Sequence, residues 1–86
     1  LSKVIRIERV EPRPGKADHA FRSPQGYIVA DPEAPSQLRR LAQYRKFVPT
    51  LEEAAACVER GWYIRMGDDF LTSSLIKPDM VRIIRA

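Results

Sequence analysis

Apolar and polar positions alternate from Lys3 to Glu11, with Ile5 and Ile7 on one face and Val4, Arg6, Glu8 and Val10 on the other. That period of two, with its β-branched side chains, predicts a strand. Pro12 and Pro14 end it, because neither has an amide hydrogen to donate to a ladder. His19–Arg22 and Tyr27–Ala30 then flank Ser23-Pro24-Gln25-Gly26. Proline at the second turn position and glycine at the fourth suit a type I turn, so a hairpin is expected.

After Asp31–Pro35 the period lengthens. Ser36 is placed to cap a helix over Gln37–Phe47, with Leu38, Leu41, Ala42 and Arg45 at i, i+3, i+4 and i+7. Thr50-Leu51-Glu52-Glu53 has the spacing of a capping box and opens a second helix, which Gly61 ends just past Arg60. Leu51, Ala54, Ala55 and Val58 would face inward. Alternation returns at Trp62–Met66, with Trp62, Ile64 and Met66 on one side. Gly67-Asp68-Asp69 predicts a turn, Phe70–Leu75 a weaker returning strand, and Met80–Arg85 a last strand with Val81 and Ile83 inward. The expected fold is α+β: a small mixed or antiparallel sheet, made of an N-terminal strand, a hairpin and a C-terminal meander, with two helices packed on one face.

Length allows one small domain over residues 1–86, whether alone or within a longer chain, since the sequence opens at Leu1. With 44% hydrophobic and 30% charged residues, the chain is neither a disordered tail nor a coiled coil, and no apolar run approaches a membrane span. The lone cysteine, Cys57, leaves no intrachain disulfide and no cysteine-based zinc site. A cytoplasmic setting is expected, with no membrane association.

Catalysis finds little to work with. His19 is the only histidine, no nucleophile elbow surrounds Ser73 or Ser74, and the four glycines are too scattered for a phosphate loop. Asp18-His19 and Asp68-Asp69 lack metal-ligand spacing and suit turns, while Cys57 among alanines suits close packing. No enzymatic activity, cofactor or metal is expected.

Charge is more informative. The net +4 is uneven: residues 1–49 hold ten basic and five acidic groups (+5), and residues 50–86 hold five and six (−1). Eleven of the 15 basic residues are arginine, which makes bidentate contacts with phosphate or carboxylate. Arg39, Gln43 and Lys46 fall on one face of the expected first helix. Arg6, Tyr63, Arg65 and Arg82, with Val4, Glu8 and Ile84, alternate with the expected core and would form an open sheet face. These surfaces lead to a non-enzymatic interaction module that associates with itself, as a dimer, or with a protein partner through an exposed sheet face or edge. The alternative is a nucleic-acid-binding module, winged-helix-like or open-sheet, using the arginine-rich surfaces.

Over residues 36–86 the order helix, turn, helix, hairpin resembles the latter part of a winged helix-turn-helix domain. That resemblance implies a second helix in the major groove. Here that helix carries Glu52, Glu53 and Glu59 against Arg60, an acidic face toward phosphate.

Overall fold

In the computed structural model, which describes residues 3–12, 14–15, 18–67 and 74–86, the fold is α+β with antiparallel sheets and a single α-helix. The strands are β1 (Val4–Arg9), β2 (Arg22–Ser23), β3 (Gly26–Ala30), β4 (Arg45–Val48), β5 (Tyr63–Met66), β6 (Ser74–Ile76) and β7 (Val81–Arg85). Helix α1 spans Leu51–Glu59. No helix among the described residues is long and apolar enough to cross a membrane.

β1 and β7 form a ribbon, while β2, β3, β5 and β6 follow one another in a larger sheet that also takes β4 against β3. The expected C-terminal meander stops after β5–β6, because β7 leaves to pair with β1. The predicted Asp68-Asp69 turn and the 70–73 part of the returning strand lie outside the described residues. The hairpin forms around Pro24-Gln25, where Ser23 pairs with Gly26 and the buried Ser23 Oγ donates to the Gly26 carbonyl at 2.8 Å. Its first arm is short because residues 18–21 serve two neighbours. On the β1 side, Arg9 N–H donates to Asp18 O and Ala20 N–H to Ile7 O; on the β5 side, Phe21 N–H donates to Arg65 O and Gly67 N–H to His19 O. This segment stitches ribbon to sheet.

Strict alternation fails in β1. The β1–β7 register shifts between Val4 and Arg6, so Ile5 is an extra residue and the chain turns over at that point. Val4 is thereby buried (2% exposed) with Ile7, and Ile5 lies outside at 54%. Val4 thus leaves the predicted open face and Ile5 leaves the predicted core face.

The first predicted helix does not form. Pro35 occupies the cap position of a single 3₁₀ turn at Ser36–Leu38, Ser36 gives no capping bond, and a second 3₁₀ turn follows at Ala42–Tyr44. Its supposed apolar stripe had only Leu38, Leu41 and Ala42 to bury, and all three are exposed. The rest of the segment gains more as a strand: β4 pairs residue for residue with β3, from Tyr27↔Val48 to Ala30↔Arg45. With that helix absent, the winged-helix resemblance does not hold.

Helix α1 forms as its ends predict. Thr50 Oγ1 accepts from Glu53 N–H at 3.2 Å. At the other end Gly61, at φ +97°, carries the chain out with Gly61 N–H on Val58 O and Trp62 N–H on Cys57 O, a Schellman cap. Ala54, Ala55, Cys57 and Val58 pack against Val4, Ile7, Val29, Val48, Ile64 and Met66. The small side chains let the helix lie close on the sheet.

Candidate anion-binding cleft

The outer face of the sheet, away from α1, carries Ile28 and Ala30 from β3, Arg45 and Phe47 from β4, and Tyr63 and Arg65 from β5. It is not fully open: Ile28 and Ala30 are buried. The chain between β3 and β4, predicted as a helix, lies over this face. Asp31 Oδ1 accepts from Glu33 N–H at 2.8 Å to start the turn, and Asp31 N–H donates to Tyr44 O at 3.0 Å to close the loop.

Two arginines hold that loop in place. Arg39 Nη2 donates to Ala34 O at 2.9 Å, and its guanidinium lies over the Tyr63 ring, 4.1 Å from the centroid. Arg45 Nε donates back to Arg39 O at 3.3 Å. Between loop and sheet is a cleft of about 540 Å³ lined by Ser36, Gln37, Arg39, Arg40, Arg45, Tyr63, Ser74 and Leu75. Among the described residues, three guanidinium groups, three hydroxyls and an amide line it, with no carboxylate. Arg39 Nε is buried without a hydrogen-bond partner among the described residues. Burial, with the positive charge of Arg65 added to it, lowers the pKa of Arg45 below the ordinary arginine value.

A second cleft of about 290 Å³ adjoins it across Arg40 and Arg45. Pro24, Ile28, Ala42 and Phe47 make its apolar wall, and Arg65 lies at its side with its guanidinium 5.0 Å from the Phe21 ring centroid.

The residues singled out in the sequence divide between two regions. Arg39 and Tyr63 meet in the first cleft, and Arg65 lines the second. Arg6 and Arg82 lie on the β1–β7 ribbon, where both bond the Glu8 carboxylate at 3.0 Å. Other ribbon arginines are also paired, Arg9 with Asp18 at 3.5 Å and Arg85 with Glu59 at 2.8 Å. Gln43 and Lys46 are exposed and line neither cleft. Without the helix, they no longer share a face with Arg39.

Arg40 and Arg45 are the residues the sequence reading missed, since a helical wheel set Arg45 on the apolar side. The usable signal was local: the basic doublets Arg39-Arg40 and Arg45-Lys46 between Pro35 and Pro49, the second doublet flanked by Tyr44 and Phe47. His19 is exposed at the rim of a third groove, about 250 Å³, with Ile5, Arg6, Ile7, Ala20, Tyr27 and Leu51. Cys57 is a buried free thiol.

No family model, curated protein or solved structure matches this chain.

Proposed function

We propose that this domain is a non-enzymatic binding module that takes an anionic partner into the arginine-lined cleft beneath the β3–β4 loop. One contrast carries the reading. The ribbon arginines Arg6, Arg9, Arg82 and Arg85 have carboxylate partners, whereas among the described residues Arg39, Arg40 and Arg45 have none. Grouping like charges without acids costs free energy, and a bound oxyanion offsets it with charge-assisted, bidentate hydrogen bonds. The buried thiol of Cys57 is compatible with a cytoplasmic setting.

Self-association is a second reading, favoured by exposed Ile5 and Val10 on the ribbon, where Glu8 offsets the nearby arginine charge. The cleft face is a poor dimer surface. A two-fold contact there would bring Arg39, Arg40 and Arg45 against their own copies.

The test is retention on a polyanionic resin. Arg40→Glu and Lys3→Glu change net charge equally, but only Arg40 lines the cleft. The reading expects Arg40→Glu to elute at much lower salt than Lys3→Glu; equal elution would reduce the effect to net charge and refute it.

A further inference from the structure

The two clefts differ in character, and the wall they share suggests what lies across them. The first is polar, with Arg39 and the Ser36 and Ser74 hydroxyls beyond the wall. The second has the more apolar exposed lining, to which Phe47, a residue 47% exposed, contributes its ring. The rings of Tyr27, Tyr63 and Phe21 each face an arginine, whereas no cation among the described residues lies over Phe47. Phe47 and Arg45 are two residues apart on β4, so they project from the same face of the strand. A charged hydrogen-bonding group and an open aromatic plane therefore stand side by side.

An acidic peptide would satisfy the arginines but has no reason to place a flat apolar group beside each acid. A single strand of nucleic acid does so at every residue, alternating phosphate and base. Resting on the anion-binding reading, we propose that the partner is single-stranded nucleic acid. A phosphate sits on the shared wall against Arg40 and Arg45, and the adjoining base stacks on Phe47 in the second cleft. The next phosphate lies in the first cleft toward Arg39. Contact with the base through its face makes binding tolerant of sequence, and a duplex, whose bases are already stacked, binds more weakly.

The experiment is fluorescence anisotropy on the whole 86-residue chain with three labelled probes. They are an oligothymidylate of about eight nucleotides, the abasic strand with the same phosphates, and an oligoglutamate of equal charge. The oligothymidylate is expected to bind about tenfold more tightly than the abasic strand, the loss of one stacked base. Phe47→Leu keeps an apolar side chain for folding but removes the aromatic plane. It should abolish that tenfold advantage while leaving abasic binding unchanged; Phe47→Ala should do the same.

Equal binding of the thymidylate and abasic strands, or a base advantage indifferent to Phe47, would overturn the nucleic-acid proposal while leaving the anion cleft standing. Tighter binding of oligoglutamate would assign the cleft to an acidic protein instead. Absence of salt-sensitive binding to all three probes would refute the anion cleft itself.

Discussion

The Arg39 guanidinium lies over the Tyr63 ring, 4.1 Å from its centroid, and this contact fastens the β3–β4 loop to the outer face of the sheet. The same arginine donates to Ala34 O from its side chain and its backbone carbonyl accepts from Arg45 Nε, so one residue ties the loop to both strands. Tyr63→Ala should lower stability by about 1–3 kcal/mol through lost ring packing and the cation–π contact. Tyr63→Phe retains the ring and should stay within about 0.5 kcal/mol. Urea unfolding distinguishes them; similar large losses in both would place the importance of Tyr63 in its hydroxyl.

Gly26 is held by two constraints at once. Its φ is +118°, and a Cβ there would collide with the Val48 carbonyl oxygen of the neighbouring strand. Gly26→Ala should cost roughly 2 kcal/mol or more, because strain and the backbone clash add. A thermal melt within a degree or two of the parent would show that β3 and β4 can separate cheaply.

Thr50 supplies only part of the box its sequence suggests. Its Oγ1 accepts from Glu53 N–H, but the hydroxyl donates to Glu53 Oε2 at 3.3 Å. Thr50→Ala should cost about 1 kcal/mol and Thr50→Ser much less. Chemical denaturation checks both; equal losses would trace the effect to the methyl group instead of the cap.

Glu8 is the shared acceptor for Arg6 and Arg82, with both arginine side chains more than half exposed. Glu8→Gln should change stability by no more than about 1 kcal/mol, since exposed ion pairs contribute little. It should nevertheless strengthen weak, low-salt binding to polyanions by releasing two arginines on the ribbon. Unchanged low-salt binding would mean that Glu8 does not mask that surface.

How much of this was legible in the sequence depends on whether local chemistry or a distant partner decides each element. Thr50, Gly61 and the alanines between them define α1 by their own bonds and sizes, so its limits could be read directly. Pro24-Gln25 and Gly26 likewise announced their turn. The Gln37–Phe47 segment could not be read this way, because its outcome depends on the edge of β3, which a helical wheel does not represent. Ile5 misled for a related reason: a bulge is set by the register with β7, seventy-odd residues away in sequence. The cleft inherits both difficulties. Arg39 and Tyr63 were visible as a basic and an aromatic residue on separate surfaces, and Arg65 with them, but only a folded-over loop brings Arg39 to Tyr63. Arg40 and Arg45 stayed hidden until that loop replaced the helix.

The central claim is that Arg39, Arg40 and Arg45, unlike the ribbon arginines, are available to an anion. The most direct measurement is an NMR titration of the arginine Nε–H signals with the oligothymidylate at low salt. The signals of Arg39, Arg40 and Arg45 should shift together and saturate, then return as salt rises and counterions compete. Saturable shifts confined to Arg6, Arg82 and Arg85, with the cleft signals unmoved, would contradict the account.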